Sequence, residues 1–192
     1  MSEIDANKTT KAIETLKEMI TQRGYAIEDS NDMNTDDDMD DGIQTITGTR
    51  LYNKKLDKII IFATPISKFN VDRVKEFVSI LNTVDINHCI CVYTDTVTSM
   101  AQKLIENTTE FQIELFTLQE LQYNITKHIL VPTHICLTDE ESKEFRKQFG
   151  IRFPVILTTD PVCKFYNFKR GGIIKIIRKS NDNEYITHRI VK

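Results

Sequence analysis

Between residues 43 and 116 the apolar pattern switches repeatedly between two periods, and this constrains the fold more than any other feature. "IQTIT" (43–47) and "KIIIFAT" (58–64) are apolar runs of strand length. "NVDRVKEFVSILNTV" (70–84) then repeats at helical spacing, with Asn70 as N-cap and Val71, Val74, Phe77, Val78 and Leu81 on one stripe. "HCICVYT" (88–94) is again a strand, "SMAQKLIEN" (99–107) a short helix and "FQIELF" (111–116) a strand. Strand and helix in alternation predict a small α/β domain, a sheet covered by helices, with right-handed crossovers between parallel strands.

The flanks follow other rules. "TTKAIETLKEMITQRGY" places Ile13, Leu16 and Ile20 at helical spacing, with Arg23 in the last turn and Gly24 as the stop. "EDSNDMNTDDDMDDG" (28–42) is acidic and almost free of apolar anchors, so it is expected to be a mobile spacer loop. "TLQE" is a capping box, Thr117 with Glu120. The character changes near Thr126: three of the four prolines lie beyond it. A second capping box, Thr138 with Glu141, opens the helix "DEESKEFRKQF", which Gly150 ends. "FPVIL" (153–157) is a short strand, and Asp160-Pro161 is an N-cap with proline at the first helical position. "GIIKIIRK" and "EYITHRIV" make a hairpin through "SNDN". This part is a compact α+β unit, small enough to be marginal by itself.

Charge is partitioned along the chain. Residues 1–42 carry 4 cations and 12 acids, residues 43–127 carry 9 of each, and residues 128–192 carry 12 cations and 7 acids. No run has the roughly 18 apolar residues of a membrane helix, and the N-terminus lacks a signal-peptide core, so a soluble intracellular protein without a membrane partner is expected. Cys89, Cys91, Cys136 and Cys163 give no disulfide framework. Cys89-x-Cys91 beside His88 has the look of half a metal site, but no second half-site exists, and an alternating strand buries such thiols. The aspartates at 36–41 fail the calcium-loop spacing: Met39 and Gly48 stand where ligands belong. No phosphate-cradling glycine loop or nucleophile elbow appears, and no cofactor or catalytic residue is predicted.

"DPVCKFYNFKRGGIIKIIRKS" (160–180) holds six cations against one acid, with three aromatics interleaved. An autonomous nucleic-acid-binding module is one reading of it. Phe165 and Phe168, at i and i+3 near a short helix, argue for packing instead. The spacing resembles the C-terminal domain of the fifth subunit of eukaryotic RNA polymerases, a subunit with an archaeal homologue. The residues that carry the resemblance are His128, Leu130-Val131-Pro132, His134, Asp160-Pro161-Val162, Phe165-Tyr166, Lys169-Arg170-Gly171, Lys175-Ile176-Ile177-Arg178, Ser180, Tyr185 and Arg189. "LKEMITQRGY" and "LQYNITKH" resemble the family's first helix and its interdomain junction.

The resemblance implies an α/β N-terminal jaw-type domain (1–126) and a small α+β C-terminal assembly domain with a β-hairpin (127–192). It implies a non-catalytic polymerase subunit acting in transcription. The C-terminal domain would dock on the largest subunit, beside neighbouring subunits, through His128, Pro132, His134, Asp160, Pro161, Lys169, Arg170, Gly171, Lys175, Arg178 and Arg189. The jaw would approach downstream duplex DNA at Thr96, Val97, Thr98 and Ser99. The chain departs from the family pattern at Val155, where arginine is expected, at Thr98, where proline is expected, and in a hairpin turn one residue shorter. Such divergence suits a large DNA virus or a fast-evolving eukaryote, and localisation follows: the nucleus for a cellular protein, a cytoplasmic factory or virion for a viral one.

Overall fold

A computed structural model describes residues 3–28, 44–52, 55–180 and 183–192, which form two compact units, Met1–Tyr123 and Asn124–Lys192. The acidic stretch, Glu28 apart, and the centre of the "SNDN" turn lie outside the described residues.

The first unit is a five-stranded sheet in the order β1-β2-β3-β4-β5, made of Ala26–Glu28, Thr45–Tyr52, Lys55–Phe69, His88–Val97 and Gln112–Thr117. The first three strands pair antiparallel; β3, β4 and β5 are parallel, joined through α2 (Val71–Val84) and α3 (Ser99–Asn107). Each of these helices starts one residue after its strand. Asn70 and Thr98 accept from the backbone N–H of Arg73 and Ala101, so the single connecting residue is also the N-cap. The expected strand 58–64 runs on to Phe69. Pro65 lies where the β3–β4 register shifts, a place that tolerates a residue without an N–H, so proline does not end the strand here.

Side-chain alternation gives the sheet two buried faces. Ile60, Phe62, Cys89, Cys91 and Ile113 pack under α2 and α3, around Phe77, whose ring lies 4.3 Å from Phe62 and 5.8 Å from Phe69. Cys89 and Cys91 are fully buried with Sγ atoms 4.0 Å apart, and burial pushes the Cys91 thiol up. His88 belongs to the opposite face by alternation, so the three do not converge as ligands. Among the described residues no cluster of three or more His, Cys, Asp or Glu could hold a metal ion.

On that opposite face lie Ile59, Ile61, Ala63, Ile90 and Val92, and α1 (Glu3–Gln22) packs against β1 and β3. Its buried stripe is Ala12, Leu16, Met19 and Ile20; Ile13, expected on the stripe, is only half-buried. The helix stops as predicted: Gly24 takes φ +86°, its N–H bonds to Thr21 and that of Tyr25 to Ile20. Arg23 does not serve the helix end. Its side chain is 3% exposed and forks onto Glu114 of β5 at 2.8 and 2.9 Å. His88 Nε2 bonds Glu114 at 2.5 Å, and its Nδ1 lies 3.4 Å from the Tyr25 hydroxyl. Tyr25 donates to Asp57 of β3 at 2.9 Å, and Arg50 of β2 donates to the same carboxylate while lying 4.2 Å over the Tyr25 ring. One polar chain thus crosses the sheet from β5 to β2. Burial alone would raise the Glu114 pKa; Arg23 first, then His88, outweigh it and hold the group down to about 2.

The second unit is a four-stranded sheet, order β6-β8-β9-β7, from Thr133–Cys136, Ile173–Ser180, Asn183–Val191 and Val155–Ile156. Only β7 on β9 is parallel. The core is small: Ile156, Cys163, Ile174, Ile176 and Val191, with Phe168 against them. Helix α5 (Pro161–Tyr166) supplies Cys163. Helix α4 (Asp139–Phe149) carries the predicted capping box and C-terminal glycine but has no buried residue; Phe145 lies 4.1 Å from the ring of His188 on β9. β6, between Pro132 and the capping box, has no run long enough to be read as a strand from sequence.

Candidate functional site

The basic stretch folds into three parts, each fixed by local chemistry. Asp160 Oδ1 accepts from the N–H of Val162 at 2.9 Å, so this carboxylate caps α5. Pro161 supplies the first helical φ. Asn167 then turns left-handed (φ +54°) and ends the helix. Phe168 therefore lies beyond the helix. It stacks on Tyr166 at 5.2 Å while Phe165 is buried, so packing replaces the expected i, i+3 geometry. Next comes the Lys169-Arg170-Gly171-Gly172 corner. Gly171 takes φ +84°; its N–H bonds to Val191, and its carbonyl accepts from Arg146 at 2.7 Å. A Cβ on Gly172 would lie 3.1 Å from the Lys169 carbonyl. Both glycines answer backbone demands, and Lys169 and Arg170 project from the corner, exposed.

The third part, β8, divides its cations between two faces. Lys175 lies opposite His188 and Lys179 opposite Glu184 (3.5 Å), whereas Arg178 lies opposite Tyr185 on the other face. Arg189, paired with Ile174, shares the face of Arg178 and donates to the Val155 carbonyl at 3.2 Å. The corner and Arg178 stand at opposite ends of β8, about 20 Å apart at the rise of a strand. The six cations thus do not form one stripe. Burial and then Lys175 hold the His188 pKa below its usual value.

The histidines act locally. His134 Nδ1 lies 2.7 Å from the Pro132 carbonyl, which requires the proton on that nitrogen, and its Cα lies opposite Ile176. His128 is exposed, its Nδ1 accepting from the N–H of Leu130 at 3.2 Å. The unit also exposes apolar side chains outside the charged set. Ile129 and Leu130 are 94% and 81% exposed, and Phe149, Ile151 and Leu157 are also open to solvent. Ile135, Ile177 and Ile186 adjoin on one sheet face, with Ile135 and Ile186 about half-exposed. The signal available was the second isoleucine parity of "IIKIIRK".

In the first unit, Thr96 and Val97 end β4, opposite Lys68 and Phe69 of β3. Val97 packs on the core, Thr98 caps α3, and Thr96 and Ser99 are exposed. Thr98 has φ −70° and ψ 144°; besides its side-chain cap, its N–H donates to the Phe69 carbonyl at 3.0 Å, a bond that proline could not make. A cavity of about 200 Å³ lies under the β3 irregularity, lined by Phe62, Thr64, Pro65, Ile66, Ser67, Arg73 and Phe77. It has no convergent set of titratable groups.

The family described as RNA polymerase Rpb5, C-terminal domain, matches residues 123–191. Subunit rpabc1 of DNA-directed RNA polymerases I, II, and III of Dictyostelium discoideum is 38% identical over 141 residues, 70% of this chain and 72% of the relative. Subunit RPABC1 of Caenorhabditis elegans is 26% identical over 213 residues, 98% of each chain. Subunit 5B of DNA-directed RNA polymerases IV and V of Arabidopsis thaliana is 28% identical over 204 residues, 99% of this chain and 92% of the relative. The resemblance carried by the proline-started helix, the glycine corner and the hairpin is thereby extended over the whole chain, which belongs to the Rpb5 (RPABC1) family of DNA-directed RNA polymerase subunits.

Proposed function

We propose that the chain is built into a multisubunit DNA-directed RNA polymerase by its second unit, which docks on the largest subunit and its neighbours. The first unit then forms part of the jaw near downstream duplex DNA. The chain is an accessory subunit without polymerase chemistry of its own. The carrying observation is the imbalance of the second unit. Nine of its large apolar side chains are exposed, while its core cluster holds five buried residues. Ile135, Ile177 and Ile186 share one sheet face with Lys175, and apolar side chains bordered by charge are what a protein interface requires. Binding a large partner also stabilises so small a unit by mass action. The rival reading, a nucleic-acid module, would need aromatic rings presented to bases and cations on one track; the packed rings and divided cations disfavour it.

The test is a native affinity capture with the full chain. The largest polymerase subunits should co-purify, and reversing Lys169, Arg170 and Arg178 to Glu should weaken capture without lowering the melting temperature of the free chain. Undiminished capture rejects this interface. For the jaw, a photo-crosslinker at Thr96 or Ser99 should reach downstream DNA only in the assembled enzyme. The protein works in the nucleus if a cell encodes it, and in a cytoplasmic factory or virion if a virus does.

A further inference from the structure

β9 is paired on both sides only at its end. β8 runs along it from Asn183 to Ile190 without a register break, but β7 meets it at Ile190 and Val191 alone. The direction of each N–H follows from two bonds. Ile190 donates outward, to the Pro154 carbonyl, and Val191 donates inward, to Gly172. Strand alternation then puts the N–H and C=O of Glu184, Ile186 and His188 on the outer edge. No strand among the described residues pairs with them there. Asn183 to Thr187 are all exposed, with Tyr185 at 55% and Ile186 at 50%. The usual protections of an edge are missing: no proline, no bulge, and the one acid, Glu184, leans back to Lys179. β1 is three residues long and β6 four, so this open stretch is longer than either.

We propose that an extended segment of a neighbouring polymerase subunit adds to β9 as a further strand, bonded to the backbone of Glu184, Ile186 and His188. This deepens the docking role proposed above and rests on it. The chemistry of the segment follows from the two faces it would continue. It would lie beside Ile186 on one face and Tyr185 on the other, which asks for apolar side chains at its centre. Residues 173–192 hold five cations and two acids, so its ends should be acidic. Main-chain bonds give such an addition its affinity, and the side chains give its specificity.

The experiment is residue-resolved amide exchange on the full chain, free and in the assembled polymerase. In the free chain the amides of Glu184, Ile186 and His188 should exchange fast and those of Tyr185 and Thr187 slowly. Assembly should slow the first set and leave the second unchanged. Fast exchange at the first set in the assembled enzyme overturns the proposal. So does slowing in the free chain together with dimeric mass, which would make a second copy the occupant. Ile186→Pro supplies an independent reading. It removes an outward N–H and leaves the β8 ladder intact, so capture of the polymerase should fall about ten-fold, the worth of one good hydrogen bond. Wild-type capture with undiminished Ile186→Pro capture rejects strand addition alone. A wild-type chain that captures no polymerase subunit rejects the docking role as well.

Discussion

The two units spend their apolar residues in opposite ways. Among the described residues the first buries 24 apolar side chains and leaves four large ones exposed; the second buries eight and exposes nine. Size explains part of this, because a smaller domain buries a smaller fraction of its surface. It does not explain α4, an eleven-residue helix with no buried residue. The first unit is finished as a folded object, with polar groups wired together on one face of its sheet. The second is held by caps and corners, and its apolar surface is turned outward.

The largest expected effect lies in the wiring. Glu114→Ala leaves Arg23 buried without its carboxylate and should cost about 3–5 kcal/mol, read from urea unfolding of the full chain. A loss below about 1 kcal/mol would mean that the pair is solvated and the contrast between the units overstated. Acid should act on the same pair. Glu114 titrates at 4.5 when unpaired and about 2 in the fold. Its depressed pKa therefore stabilises fully above about pH 5, and that contribution, about 3 kcal/mol, drains away as pH falls from 4.5 through 2. Glu114→Gln should flatten the acid limb of a stability–pH profile.

Smaller effects sharpen the other side. Thr138→Ala removes the α4 cap and should cost the second unit about 1 kcal/mol by thermal melting. Smallest in stability is Leu157→Gln, at a side chain 57% exposed. It should change the free chain by less than about 0.5 kcal/mol yet reduce polymerase capture. An unchanged capture would show that this part of the exposed apolar surface faces no partner.

What could be read from the sequence divides along the range of the forces involved. Asn70, Thr138 with Glu141, Asp160-Pro161 and Gly24 each act within four residues, and each was legible as a cap or stop. The parallel strands were legible because their apolar runs alternate with helical ones. Thr117 and Glu120 do form the reciprocal box, with Glu120 accepting from the Thr117 N–H at 2.7 Å, but they open only a 3₁₀ turn. β1 and β6 were missed because three or four residues carry no period; only their partners make them strands. Arg23 looked like a helix-end cation because nothing local announces a carboxylate 91 residues away. At the candidate interface the cations were visible as letters, but their division between two faces needed the register of β8 against β9.

The polar chain across the first sheet also bears on the order of events in folding. Its members come from the turn that follows α1 (Arg23, Tyr25) and from strands β2 to β5, so it cannot close until β5 has joined the sheet and that turn has docked on it. Contacts of such sequence separation carry a loop-closure cost, and this set is expected to close after the rate-limiting step. An interaction absent from the folding transition state leaves the refolding rate alone and slows escape from the native state. Loss of the Arg23–Glu114 pair should therefore appear in the unfolding arm of a chevron rather than the folding arm. What the pair contributes is lifetime: once assembled, the first unit stays folded for longer than its refolding speed would suggest.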